Sequence, residues 1–268
     1  MPKIHFACLY GVDYDMDLMP WWADYYLSMK LDSYTLFLNS QKHGYDVPKQ
    51  IRDLFRGMGF RIHIVVGPVC DGVLRNIVLG RYASTLPPED MLVTADDDEF
   101  QCSQRCCPES RSTLEPPDYR SLEQSFDIIT GFMQDRYGSR IEACRSDPLE
   151  QYPFEEPFTG KLRNNFIPPF CSGEWELLRR YKILACRAGY PVNFIGSHAM
   201  TEISSRARIV EEFKILHFCW REGSRSKMAE KTFFNAENLQ DVYGGEVPAE
   251  LSVRQQITRL ERAVNEKT

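Results

Sequence analysis

Strand-like and helix-like blocks alternate along the first hundred residues. Ile4 to Tyr10 is a short apolar run closed by Gly11, the pattern of a strand buried on both faces. Behind Pro20, Trp22, Tyr25, Tyr26 and Met29 recur at helical spacing. Ser33 to Leu38, rich in β-branched and aromatic residues, predicts a second strand. Pro48 opens a second helix, with Val47, Ile51, Leu54, Phe55 and Met58 on one face and Gly57 and Gly59 to end it. Ile62, Ile64 and Val66 alternate as a third strand, and Leu74, Ile77, Val78 and Tyr82 form a third helical face. Met91 to Thr94 is a fourth short strand. This alternation predicts a parallel sheet with helices on both faces, in which ligands bind beyond the carboxyl ends of the strands. Most weight therefore falls on Tyr10-Gly11-Val12-Asp13, Asn39-Ser40-Gln41, Gly67-Pro68 and Asp96 to Glu99.

After Phe100 the pattern changes. Residues 101 to 120 are polar, carry Pro108, Pro116 and Pro117, and read as a long loop. Asp127 to Met133 reads as a strand, and 145 to 173 has no clear period. Glu174 to Ala188 reads as a helix, with Leu177, Leu178, Tyr181, Leu184 and Ala188 on one face and Gly189 to close it. Tyr190 to Ile195 and Phe213 to Phe218 follow as strands. A last helix is expected from Ala249 to Val264, with Val253, Ile257, Leu260 and Val264 on one side.

Composition adds exclusions. A net charge of −6 argues against general affinity for nucleic-acid backbone or anionic membrane. No apolar run approaches the roughly 20 residues that span a bilayer, and Ile4 to Tyr10 is too short for a signal segment. A cytoplasmic location is expected. The cysteines number nine, and Cys8, Cys186 and Cys219 sit in apolar runs, so they are expected as reduced, packed thiols. Cys102, Cys106 and Cys107 lack the spaced pairs of a zinc site.

The chemistry concentrates at Asp96-Asp97-Asp98-Glu99-Phe100. Four successive carboxylates after an apolar strand repel one another unless a cation offsets them, and carboxylate oxygens suit hard ions such as Mg²⁺ or Mn²⁺. On extended backbone Asp96 and Asp98 would face one ion, with Asp97 turned aside. The bland alternative is a solvated acidic turn. A second cluster lies late in the chain. His198 follows one strand, and His217 ends another, with Arg221, Arg225 and Lys227 close behind. A neutral imidazole beside cations suits a metal–diphosphate site; a hydrogen-bonded structural histidine and a solvated basic segment are the alternatives.

Four blocks carry a resemblance: Pro20-Trp21-Trp22 to Leu31 with the strand Ser33 to Asn39; Asp96 to Phe100; Gly131-Phe132-Met133-Gln134-Asp135-Arg136; and Gly196-Ser197-His198 with His217-Phe218-Cys219-Trp220. In this order the chain resembles the glycosyltransferase family 2-like proteins of the GT-A fold, in the group whose acidic motif reads Asp-x-Asp-Glu-Phe. Ser197 stands where the family's Gly-His-His has its first histidine, and Cys219 stands where His-Phe-Lys-Trp has lysine. Arg221 or Lys227 would replace that cation.

The resemblance implies an α/β fold of GT-A type, a mixed, mostly parallel sheet flanked by helices. Residues 1–268 would form one such domain: 1–100 the nucleotide-sugar half, 101–245 the acceptor half, 246–268 the terminal helix. It implies a nucleotide-diphosphate sugar as donor, a glycan or other hydroxyl as acceptor, and Mn²⁺ or Mg²⁺ held by Asp96, Asp98 and His217. Tyr10, Asp13, Arg75, Asp97, Arg221 and Lys227 would contact the nucleotide-sugar. Asp135 is the first candidate for general base, with Glu155, Glu156 and Glu174 as rivals; a structural pair of Asp135 with Arg136 or Arg140 is the other reading. A sugar-phosphate nucleotidyltransferase would also need paired carboxylates, but the Gly11-to-Asp15 loop is acidic where such enzymes carry a basic, Gly-rich loop. A non-catalytic binder of nucleotide-sugar or glycan on the same fold stays open.

Overall fold

The computed structural model describes residues 2–40, 42–66, 72–103, 114–140, 142–157, 181–190, 194–195, 199–200, 208–218 and 221–222. In chain order the first elements are β1 (Ile4–Gly11), α1 (Met19–Ser28), β2 (Ser33–Asn39), α2 (Lys49–Gly57), β3 (Arg61–Val65), α3 (Gly72–Ala83) and β4 (Met91–Thr94). They follow the alternation in the sequence closely. Then come β5 (Glu99–Cys102), α4 (Tyr119–Glu123), β6 (Ile128–Tyr137), α5 (Pro148–Gln151), β7 (Phe154–Pro157), β8 (Tyr181–Arg187), a two-residue pair β9 (Phe194–Ile195) and β10 (Ala199–Met200), and β11 (Ile209–His217).

Among the described residues the main sheet has nine strands in the order β3-β2-β1-β4-β8-β6-β11-β5, with β7 taking over from β8 along β6. β1 to β4 are mutually parallel, and β6 and β11 point the same way because two antiparallel steps through β8 restore the direction. β5, β7 and β8 run opposite. The sheet is thus mixed and mostly parallel. One end collects the carboxyl ends of β1, β2, β4, β6 and β11 together with the amino ends of β5 and β8.

Helices cover both faces. Phe6, Cys8 and Tyr10 of β1 pack with Trp22, Tyr25 and Tyr26 of α1 and Phe55 of α2. Ala7, on the opposite face, packs with Leu79 and Ala83 of α3. That double cover explains why every residue of β1 is buried. α2 ends as Gly59 takes φ +106, a conformation suited to glycine. Two helical faces differ from expectation. Leu54 is 41 % exposed, and on α3 Ile77 is 46 % exposed because the stripe facing the sheet is Arg75, Leu79 and Ala83. A buried arginine on that stripe hides its phase from an apolar count.

Three segments correct the sequence reading. Tyr181–Arg187 is not helix but β8, filling the slot between β4 and β6. A short apolar run satisfies both periods, and here two waiting strand edges decide. Glu174 and the rest of 174–180 lie outside the described residues. The stretch after Phe100 does not begin a loop at once: Glu99–Cys102 re-enters the sheet beside β11. Phe154–Pro157, which shows no period, is a strand because β6 runs on past the end of β8 and offers a free edge. Of the strand expected over 190–195, Phe194–Ile195 is observed and Tyr190 lies in a bend. The terminal helix lies outside the described residues, as do His198, Arg225, Lys227, Cys106, Cys107 and Cys219. Gly131 of β6 is fixed by close approach: a Cβ there would meet the Phe213 carbonyl oxygen at 2.8 Å. Among the described residues no helix is long and apolar enough to cross a membrane. Cys8, Cys102, Cys144 and Cys186 are free and buried, and burial pushes the Cys102 and Cys186 thiols up to about 12, so they stay protonated.

Candidate functional site

The acidic segment is held by the aromatic helix. The Trp22 indole N–H donates to the Asp96 carbonyl at 3.0 Å, the Tyr26 hydroxyl to the Glu99 carbonyl at 3.0 Å, and the Tyr25 hydroxyl to the Gln101 carbonyl. The chain turns at Asp97–Asp98 between β4 and β5. The extended-backbone geometry that would aim Asp96 and Asp98 at one point is therefore not the geometry found. Asp97 turns inward, only 2 % exposed, and accepts the Gly11 backbone N–H at 2.8 Å.

Asp96 meets cations of the protein itself. Arg75 Nε lies 2.9 Å from its Oδ1, and the Lys182 ammonium, 2 % exposed at the start of β8, bridges Asp96 and Glu99. Burial pushes the Glu99 carboxyl above its ordinary pKa, against the pull of Lys182. Burial likewise works against the Lys182 ammonium, but Asp96 and Glu99 outweigh it and raise its pKa.

Asp98 faces the other way. His217 Nε2 lies 3.7 Å from Asp98 Oδ2, while His217 Nδ1–H donates to Asp135 Oδ1 at 2.6 Å. All three are buried, at 5 %, 4 % and 5 % exposure for Asp98, His217 and Asp135. The pairing follows from topology: β6 and β11 are parallel, with His217 in register with Asp135, and the Phe218 N–H donates to the Asp98 carbonyl at 2.8 Å. Among the described residues, two sets of side chains have ligand atoms within 4.8 Å of one another: Asp98, Glu99 and His217, and Asp15, Asp97 and Asp98. Asp98 belongs to both; Asp96 belongs to neither.

The other expected residues are placed as follows. Asp13 is half-buried at the end of β1, accepting the Ser40 hydroxyl at 2.8 Å. Arg75 is 6 % exposed and bound to Asp96. Tyr10 is fully buried; its ring packs against Trp22 and Phe55 and its hydroxyl donates to the Asp15 carbonyl at 3.0 Å. The expectation that Tyr10 touches a nucleotide is corrected, because strand alternation turns it into the helix-covered core. Arg221 is also fully buried. Its guanidinium pairs with Asp15 and Asp17, and its Nε–H donates to the Phe218 carbonyl at 2.7 Å. Burial opposes its charge, but Asp15 and Asp17 hold its pKa above the ordinary value. It ties the loop after β1 to the end of β11 and offers no free face to a phosphate. Arg136 pairs with Glu155 at 3.0 Å, so the structural partner suggested for Asp135 goes elsewhere, to the opposite side of β6.

Three participants escaped the sequence reading. Lys182 lies in a segment that reads as helix, close behind Arg179 and Arg180, so nothing local singles it out. Asp15 and Asp17 were visible as part of an acidic loop, yet nothing local connects them to Arg221. In total Asp15, Asp17, Asp96, Asp97, Asp98, Glu99 and Asp135 crowd one end of the sheet, against the fixed cations Arg75, Lys182 and Arg221. This excess of buried carboxylate, with an imidazole turned toward it, is a setting in which a divalent cation is stabilising.

No protein-family model and no curated protein matches the sequence. Among solved structures the chain is similar to S. aureus TarS 1–349, at 11 % identity and TM-score 0.34, over 98 % of this chain and 72 % of that one. It is similar also to S. aureus TarS 1–349 in complex with UDP, at 12 % identity and TM-score 0.33, over 87 % of this chain and 65 % of that one. At these TM-scores the likeness is too slight to bear on function, which rests on the residues above.

Proposed function

We propose that this chain is a metal-dependent glycosyltransferase of GT-A type, moving a sugar from a nucleotide-diphosphate sugar to a hydroxyl acceptor. The observation that carries the reading is the Asp135–His217–Asp98 line. A carboxylate that takes the Nδ1 hydrogen fixes the imidazole tautomer and leaves the Nε2 lone pair facing a second carboxylate. That is how a ligating histidine is oriented for a metal. Asp98 and His217 would hold Mn²⁺ or Mg²⁺, with Glu99, whose ligand atom lies within 4.8 Å of theirs, nearest to complete the set. Asp96, held by Arg75 and Lys182, would not be among the ligands. When bound, the ion neutralises charge developing on the departing diphosphate.

The chain's own residues supply the rest. Arg75 and Lys182 place two cations at the same end of the sheet, where a diphosphate would lie, and their partner Asp96 keeps them there without the ligand. Asp13, half-buried just after β1, would meet the nucleoside. Asp135 acts as a positioning residue for His217 rather than as a base.

Thermal denaturation with nucleoside diphosphates, with and without Mn²⁺, tests the proposal. At a hundredfold excess over Kd, binding to the folded state contributes about 2.7 kcal/mol. The shift should require the metal and vanish in Asp98→Asn. An equal shift in chelator would overturn the metal assignment. Release of nucleoside diphosphate from a panel of nucleotide-sugars then distinguishes turnover from binding alone.

A further inference from the structure

A cavity of about 520 Å³ lies at the opposite end of the sheet, where β1, β2 and β3 begin. Its walls include His5, Ser33, Thr35, Arg61 and Tyr82. His5 and Ser33 are direct partners in the parallel register of β1 and β2, so their side chains emerge side by side on the same face. His5 Nδ1 lies 2.7 Å from Ser33 Oγ, and His5 Nε2 lies 2.9 Å from Asp90 Oδ2. Asp90 is 4 % exposed, and its other oxygen accepts the Lys3 backbone N–H at 2.8 Å.

The hydrogen positions follow from chemistry. A carboxylate only accepts, so Nε2 carries the ring hydrogen and donates to Asp90. A neutral ring then has its lone pair on Nδ1, and Ser33 must donate to it. A hydroxyl, a base in hydrogen-bond reach and a buried carboxylate orienting that base are the parts of an activated nucleophile, recognised by roles and not by fold. A histidine serving only to tie two strands needs no cavity at its serine. Here Ser33 is half-exposed and lines one.

We propose that Ser33, His5 and Asp90 form a second site, which transfers the acyl group of small esters bearing an anionic substituent to water. Ser33 Oγ bonds to the acyl carbon as its proton passes to His5 Nδ1. The carbonyl π electrons move to oxygen. Collapse breaks the bond to the leaving alkoxide, which takes the proton from His5. Water then attacks the acyl-serine by the same route, releasing the acid and returning the proton to Ser33. Tyr82 supplies a hydroxyl for the oxyanion. Its oxygen lies 3.2 Å from Thr35 Oγ1, a hydroxyl that can donate to it and so leave the Tyr82 hydrogen for the oxyanion. Arg61, exposed at the rim, forms no ion pair among the described residues and selects the anionic substituent.

The test uses the full chain in chelator, where the metal-dependent reading predicts no activity, so that the failure of one reading leaves the other standing. A fluorophosphonate probe followed by peptide mapping should place an adduct on Ser33, lost in Ser33→Ala. Hydrolysis of p-nitrophenyl hemisuccinate should fall roughly a hundredfold or more in Asp90→Asn, whose amide disturbs the tautomer needed for base catalysis. Arg61→Ala should lower the rate with hemisuccinate relative to that with acetate. The wild-type protein, shown folded by a cooperative melt, overturns the proposal if Ser33 is labelled no more than its other serines. Equal ester hydrolysis by Ser33→Ala overturns it as well.

Discussion

Replacing Lys182 by methionine preserves its length and removes its charge. In the folded protein that ammonium sits between Asp96 and Glu99, with 3 % of its side chain exposed. The two carboxylates would respond differently. The Asp96 side chain is 33 % exposed and keeps Arg75 at 2.9 Å, so it loses little. The Glu99 side chain is 1 % exposed and would be left as a buried anion with no cation bridging it. Removing one partner of a buried pair costs about 3–5 kcal/mol, mostly through the stranded charge. For a chain of this size that corresponds to a fall in Tm of roughly 5–9 °C. Urea or thermal denaturation of Lys182→Met in chelator measures it, since a divalent ion would otherwise substitute for the ammonium. The companion variant Lys182→Met/Glu99→Gln removes the stranded charge and should recover most of the loss, a coupling that a double-mutant cycle reads directly. If the double variant is no more stable than the single one, or if Lys182→Met costs less than about 1 kcal/mol, Lys182 is not the counter-charge argued for here.

Asp127, at the foot of β6, accepts hydrogen bonds from the Arg208 backbone and guanidinium and pairs with Arg187; these partners, Arg208 first, hold its carboxyl at about 2. A depressed carboxylate pKa stabilises the fold above the unfolded value and loses that contribution as pH falls. With Arg208 half-exposed, Asp127→Asn should therefore cost about 1–2 kcal/mol at pH 7, with the gap to wild type closing between roughly pH 4 and pH 2 in urea titrations; a gap independent of pH contradicts the assignment. Asp135→Asn should weaken Mn²⁺ binding roughly 10–100-fold by isothermal titration, because the amide no longer fixes the His217 tautomer. Unaltered affinity would refute the positioning role.

The first half of the fold was legible because its strands and helices are long enough to show one period each. β1 is buried throughout between two helix layers and apolar but for His5, and Trp22, Tyr25 and Tyr26 mark the buried side of α1. The acidic motif was legible for the same reason: it ends an apolar strand, and strand ends in such sheets face ligands. His217 could be picked out as a strand-end imidazole. Edge availability is what a linear pattern omits. β7 and β8 are strands because β4 and β6 offer them hydrogen-bonding edges, and the same residues alone fit a loop or a helix equally well.

Pairing at the site was decided by tertiary structure alone. Lys182 reaches Asp96 across 86 positions of sequence and Arg221 reaches Asp15 across 206. Antiparallel β8 starts where parallel β4 ends, so its first residues arrive among the aspartates. The sequence determined which carboxylates would lie at the sheet's end, because local period sets where strands stop. Which of them meet a cation of the protein and which face an imidazole depended on strand order and direction, and those follow from long-range packing that no local pattern encodes.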